Sequence, residues 1–528
     1  MAEIMGWAVI RGLRRHEPAL FLGGAAVLIL VLAVAPLFQV LGMVSSVGPG
    51  GLCALASLRT WSLLVRSLFL AGGVTVIALS IGVPLGVLIG RADVPLRRLV
   101  WLVHAFPMFL PPFLPALGWF HCFGREGIVG NETTARLLFS AVGLTLLLGA
   151  TFAPVATSLS ALGVMGVDVS LEESARVVAR PLGVATRILL PAAAPAIALC
   201  AIVVFALALS EVGVPMFLRV DVYSAAVFAR LGGVDFAPGE ALALTLPLVP
   251  VALALLALER RFAAGRSFAV LGLRSATRSP LPLGRWRVPA ALACMAGALV
   301  SAAPIAALAM RSSRTGAAPG LLEWAREAPW NGLIAGGAAA TVITAVGLIV
   351  GHGAARRLRG AALLDTVCML AFVTPAAVLG VGLMTLWNRS AGQAVYGSLA
   401  ILVVGYVARY TVVGVRVLGC AIAQSPVHLE EAAAASGARF GRRLMRVVLP
   451  VHMRGVAFGW LLALVFCLRD LETVVLFYPP GREPLTVRIF TLEANGPPAV
   501  VAGLSLLHVA ITAAVLGIGG LVLRKRRS

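Results

Sequence analysis

Apolar residues run along this chain in long unbroken stretches, and a helix needs ~20 such residues to cross a ~30 Å hydrocarbon core. Six windows meet that need in the first half, at 19–43, 63–89, 99–120, 137–158, 192–212 and 240–259. Six more follow at 289–309, 332–351, 362–386, 395–409, 455–474 and 499–523, the tenth being short and drawing on its flanks. Continuous runs without a ten-residue alternation predict helical spans, not a barrel. Pro107, Pro111, Pro112 and Pro115 crowd the third window, which is therefore expected as a kinked or interrupted span. The first window follows Arg11, Arg14 and Arg15, and Ala33 and Ala35 near its end imitate a signal-peptide cleavage site. The apolar run continues past them through Leu41, so the window is expected to stay as an uncleaved span. The predicted fold class is an all-α polytopic membrane protein with about twelve transmembrane helices.

Composition agrees with that pattern. The chain has 528 residues, 60% hydrophobic and 12% charged, against ~25% charged in soluble proteins. So few charges cannot cover soluble domains of this total size. The balance is 43 Lys+Arg against 22 Asp+Glu, a net of +21, which by itself would also fit a nucleic-acid binder. Placement decides. With a cytoplasmic N-terminus, the inside connections collect Arg91, Arg97, Arg98, Arg176, Arg180 and Arg187, then Arg260, Arg261, Arg266, Arg274, Arg278, Arg285 and Arg287. They continue with Arg356, Arg357 and Arg359, Arg409 and Arg416 at the inner end of the tenth window, Arg439 to Arg454, and the basic tail. This is the positive-inside distribution. It predicts cytoplasmic termini, a basic face toward lipid and no nucleic-acid partner.

The windows also repeat. Ser67 to Gly73 resembles Asn331 to Gly337 at an offset of 264. Phe106-Pro107 before Trp119 resembles Thr374-Pro375 before Trp387, and Leu171 to Ala175 resembles Leu429 to Ala433. Leu190-Pro191 matches Leu449-Pro450, with Glu211 and Asp470 equally far beyond. Residues 1–260 and 289–528 are thus expected as two six-span halves with parallel pseudo-two-fold symmetry, joined by a basic cytoplasmic linker at 261–288.

A patterned connection stands between windows four and five and again between ten and eleven. In the second copy Glu430 precedes Glu431, Ala432 and Ala433; Gly437 follows after three residues, and Leu449-Pro450 closes the run. Alanines favour helix and allow close approach, Gly437 permits a turn that a Cβ would obstruct, and Pro450 is expected to restart a helix. This pattern resembles the EAA loop of ABC importer permeases, in particular the fused-dimer permeases of the iron(III)/thiamine type. The segment 478–491, with Pro479, Pro480 and Gly481, is also similar to the iron(III)-type group. The first copy, 171–191, departs from the pattern. Anchored on Glu173 it keeps Ala175, places Ala179 at the glycine and reaches Pro191 one residue early. Anchored on Glu172 the length fits but the small residues slip.

The resemblance implies a short coupling helix in each loop, seated in a groove of a cytoplasmic ATPase. It implies two copies of that ATPase, which would use ATP and Mg2+, and a periplasmic substrate-binding protein at a bacterial inner membrane. This chain would bind no cofactor and catalyse no covalent step. It has no phosphate-binding Gly-x-x-x-x-Gly-Lys loop, and its only lysine is Lys525. No paired-Cys or His-Glu-x-x-His metal spacing occurs. Cys200, Cys294, Cys368, Cys420 and Cys467 read as packing residues, Cys53 and Cys122 as an outer pair, free or bridged. His104 reads as a satisfied span residue and His121 as a loop residue.

Charges inside spans normally face a cavity or a partner. Glu211 and Asp470, with Arg469 and Glu472 beside the second, are therefore candidates either for the translocation path or for holding helix ends. Iron(III) is the cargo the resemblance implies first, with thiamine, polyamine, phosphonate and sulfate-like solutes open. A more distant alternative is an ion-coupled secondary transporter, which would carry solute as the purified chain alone and leaves the two loops unexplained.

Overall fold

The computed structural model describes residues 17–42, 53, 55–232, 238–263, 280–314 and 320–525. Arg11, Arg14, Arg15, Arg266, Arg274, Arg278, Arg526 and Arg527, with most of the linker, lie outside them. The described chain is helical, and no strand forms beyond a single bridge between Ala92 and Leu281. Among the described residues nine helices are long and apolar enough to cross a membrane, rising to twelve when each of three bent pairs counts as one span. The first six are α1 (Glu17–Gly42), α2 (Leu58–Arg91), the pair α3 (Arg97–Phe109) and α4 (Phe113–Phe123), α5 (Ala141–Met165), α6 (Pro181–Ser210) and α7 (Leu248–Ala263). Six more are α8 (Arg287–Arg314), α9 (Ala328–Ala355), the pair α10 (Ala361–Val373) and α11 (Ala376–Trp387), α12 (Ala400–Ala423), the pair α13 (Phe440–Val451) and α14 (Met453–Arg469), and α15 (Pro498–Lys525).

The third window is interrupted as expected, α3 and α4 meeting at 107°. The ninth, read as one continuous span, breaks as well, α10 and α11 meeting at 103°. The breaks also correct the repeat register. They fall at Leu110-Pro111 and at Thr374-Pro375, so Pro111 and not Pro107 is the counterpart of Pro375, at the offset of 264 already seen between Ser67 and Asn331. Both pairs still carry the chain across the bundle. Arg91 at the end of α2 meets Glu172 in the loop after α5, so α2 and α5 end on one face. The chain must reach the other face between them. Arg356 and Glu430 make the same argument for α10 and α11.

The tenth window is displaced. The run looked short because Arg409 interrupts it, yet α12 extends to Ala423 and holds both Arg409 and Arg416 within its length. His121 likewise lies in α4, not in a loop.

Two packing arrangements organise these helices. In each half two long helices touch through small residues: Gly82 and Gly86 of α2 against Ala156 and Ser160 of α5, and Gly347 and Gly351 of α9 against Gly414 and Gly419 of α12. Small residues let backbones approach where no hydrophobic drive separates helix from lipid. The second arrangement crosses the halves. α1 packs on α11 and α12, and α8 packs on α3 and α4. A Cβ on Gly118 would strike the Pro304 carbonyl of α8, and one on Gly382 would strike the Pro36 carbonyl of α1. Outward residues such as Phe69, Val76, Leu102, Leu299, Ile334 and Leu521 stay exposed, the surface expected against lipid.

Candidate functional site: two anchored loops and a buried charge cluster

Each patterned loop contains a short helix, Val169–Val178 and His428–Ala435. In each, one acid is buried and its C-terminal neighbour is exposed. Glu172 is 1% exposed and pairs with Arg91 and with Arg176, the latter at 2.5 Å. Glu430 accepts from His352 Nε2 at 2.7 Å and from Arg356 Nε at 2.9 Å. Burial alone would raise the Glu430 carboxyl, but hydrogen bonds and charge from His352 and Arg356 outweigh it and bring it from 4.5 down to about 2. Glu173 and Glu431 remain exposed, Glu431 touching only His428 at 3.2 Å among the described residues. Glu172 and Glu430 thus occupy one place in the repeat. Glu173, Ala175 and Ala179 then fall opposite Glu431, Ala433 and Gly437, and the missing residue of the first loop lies after Ala179.

That deletion changes the turn. Gly437 adopts φ +81°, its N–H reaching the Ala434 carbonyl and the Ala438 N–H reaching Ala433, the paired bonds of a Schellman end. Ala179 is extended at φ −131° and is followed by Arg180 and Pro181, which starts the next helix directly. Ala432 is exposed and Ala433 half-buried. Pro450 does not restart a helix as expected, and neither does its counterpart Pro191. Each follows a five-residue π turn, Ala185–Leu189 or Leu444–Val448, within a helix already under way. Proline has no N–H to donate, and the wider turn absorbs that gap. Beyond it α6 runs on unbroken, whereas α13 and α14 meet at 84°.

Both loops are also held by residues from outside their own half. Glu17 of α1 accepts the Phe440 N–H at 2.7 Å, and Phe21 packs edge-on to Phe440. Leu281, at the end of the linker, bonds the backbone at Arg91 and Asp93 and lies among Val164, Val184 and Leu189.

The four span-end charges lie together deep in the bundle. Glu211 and Asp470 each cap the turn that follows their helix. Glu211 Oε1 accepts the Val214 N–H and Asp470 Oδ1 the Thr473 N–H, both at 3.1 Å. The same residues' carbonyls accept from Ser224 and Thr486 hydroxyls. Glu472 lies beside Glu211, and Leu471 of one half packs where a Cβ on Gly213 of the other would go. Arg469 donates to the Met108 carbonyl, the group that Pro112 leaves without its helical partner, and lies over the Phe466 ring. Sequence reasoning missed Arg409, the most buried arginine among the described residues, 2% exposed and within electrostatic reach of Asp470 and Glu472. An arginine inside an apolar run was the available signal, and it was spent on marking a span end. A second cluster links the halves nearer the loops: Arg416 pairs with Glu259 at 3.2 Å and with Asp365 at 2.8 Å. Cys53 and Cys122 are free thiols. His104 is satisfied, by Thr157 at 2.9 Å and Ser301 at 2.8 Å.

No family model matches the chain. Over 190 residues it is 27% identical to proteins of Salmonella paratyphi A and Salmonella typhi, whose names assign them provisionally to 2-aminoethylphosphonate transport as the permease protein PhnV. The match takes in 35% of this chain and 71% or 72% of those relatives, so each relative is about as long as one half of this chain.

Proposed function

From the likeness to permease proteins of a transport system and the two anchored loops, we propose that the chain is a duplicated permease of an ABC transport system, two halves around one passage, working by alternating access. Two copies of a separate ATPase subunit dock on the exposed sides of loops 171–191 and 430–450, and a binding protein delivers cargo to the opposite face. ATP and Mg2+ act in that subunit; this chain converts its closure into movement of the halves. The protein sits in a bacterial inner membrane with both termini cytoplasmic.

The observation that carries this reading is the pair of anchored loops. Burying Glu172 and Glu430 against arginines that end neighbouring spans ties each loop helix to its own half. A push on the exposed side, at Glu173 or Glu431, then moves α2 or α9 with it. For cargo, the names of the relatives support a phosphonate-type solute. The iron(III) reading has the 478–491 resemblance behind it and remains the second reading. Replacing Glu431 by Lys on the exposed side is expected to remove ATPase co-purification and ATP-driven uptake while leaving the chain folded. Normal assembly and uptake by that variant, and by Gly437→Val, would sink the docking proposal.

A further inference from the structure

Arg409 presents a problem in energetics. It lies within α12, the most buried of the long helices, and its Nε and Nη1 make no hydrogen bond among the described residues. Its guanidinium lies over the Tyr410 ring at 5.9 Å, a weak substitute for an anion. An arginine held this way within a membrane bundle is costly, and such residues persist where a partner arrives. Asp470 Oδ2 and Glu211 Oε2, equally buried, find no donor among the described residues, and the Glu472 carboxylate lies against that of Glu211. The three do not collapse on one another because each carboxylate is fixed by its other oxygen, to Val214 or to Thr473. Arg469 is committed to Met108 and Phe466. Charges of both signs therefore stand together where the halves meet, Arg409 within electrostatic reach of Asp470 and Glu472 but with Nε and Nη1 making no hydrogen bond to either among the described residues.

We propose that this cluster is the passage site for the cargo, and that the cargo is a small solute with an oxyanion at one end and an ammonium at the other. Arg409 takes the oxyanion, and Glu211, Asp470 and Glu472 receive the ammonium. The site is one per chain and lopsided, because Thr151 stands in the first half where Arg409 stands in the second. A symmetric pair of identical subunits could not build it. The proposal rests on the permease reading and adds the cargo's chemical class.

The test uses the full chain with its ATPase partner in lipid nanodiscs, reading the melting temperature against added solute. The probes are 2-aminoethylphosphonate, its carboxylate counterpart β-alanine, ethylphosphonate, ethylamine and ferric citrate. The two-ended probes are expected to stabilise saturably, and the one-ended probes to need at least about tenfold more. Phosphonate against carboxylate separates the two sources of the oxyanion. Arg409→Gln should raise the half-saturation at least about tenfold, with Arg409→Lys in between. Ethylamine or ferric citrate matching the two-ended probes, no stabilisation by either two-ended probe, or Arg409→Gln binding within about twofold of wild type would each overturn the proposal. The comparison of probes on the wild type decides the matter even where a variant misfolds. Loss of the ATPase during purification counts against the permease reading and leaves the binding comparison standing.

Discussion

The two halves share a skeleton and differ in its chemistry. Breaks at Pro111 and Pro375, small-residue contacts, buried acids at 172 and 430, and π turns before Pro191 and Pro450 all occur twice. At several matching positions within the spans, however, the two halves carry different chemistry. Trp101 donates to Ser158 at 3.2 Å where Asp365 pairs with Arg416. His104 stands where Cys368 stands, and Thr151 where Arg409 stands. Beside His104 there is a crevice of ≈ 290 Å³, lined by Ile81, Pro84, Ala153 and Val300, whereas its counterpart around Cys368 has ≈ 10 Å³. Close backbone contacts between helices leave little room for a larger side chain, and they recur in both halves. Residues facing the interior are free to diverge once both halves are on one chain.

The largest expected break in this comparison is at the anchors. Glu172→Gln should cost about 3–5 kcal/mol, the usual result of stranding a buried arginine, and Glu430→Gln less because its carboxylate is more solvated. Thermal unfolding in detergent measures both, and equal losses would remove the distinction between the loops. Glu430 adds a pH signature. A carboxyl depressed in the folded state contributes fully above its unfolded value of 4.5 and loses that contribution as pH falls through about 2. Wild type should therefore lose stability across that acid range, and Glu430→Gln should flatten the slope.

Next in size are the crossing contacts. Gly118→Val and Gly382→Val should each cost about 1–3 kcal/mol through collision with a carbonyl of the opposite half. The losses should match, and unequal values would show that one crossing is looser. A smaller effect is expected at the turns. Gly437→Ala should cost about 1–2 kcal/mol because φ is positive there. Ala179→Gly should cost under about 1 kcal/mol, since its extended backbone suits any residue. Of similar small size is Trp101→Phe, about 1 kcal/mol for one hydrogen bond, against a larger loss for Asp365→Asn, which leaves Arg416 with less of its charge partner.

Much of the fold was legible because a bilayer demands a simple signal, a run of apolar residues of fixed length. The interruption at Pro111 and Pro112 was readable for the same reason, proline having no N–H to give. Register was not. Phe106-Pro107 and Thr374-Pro375 look alike, but only the bend shows which proline interrupts the helix. Arg409 was visible and misplaced, since a window of mean polarity treats a buried arginine as the end of a span. The loop acids stand out in the sequence as an adjacent pair in each copy. Which of each pair turns inward depends on Arg91 and Arg356, far away in sequence. The crossing of α1 and α8 leaves no local trace, because a helix that packs on a distant partner has the same apolar face as one that packs on its neighbour.

That crossing sets an order of assembly. α1 leaves the ribosome before the other described helices, and those it packs on, α11 and α12, are synthesised more than 300 residues later. Until they are inserted, Pro36 has no Gly382 to meet, and Glu17 has no Phe440 to cap. The first half must therefore wait in lipid with its leading helix unpartnered, and it is completed only as the last third of the chain arrives. The linker matters here as a timer as well as a tether: its length keeps the waiting helix and its distant partner in one molecule until they meet.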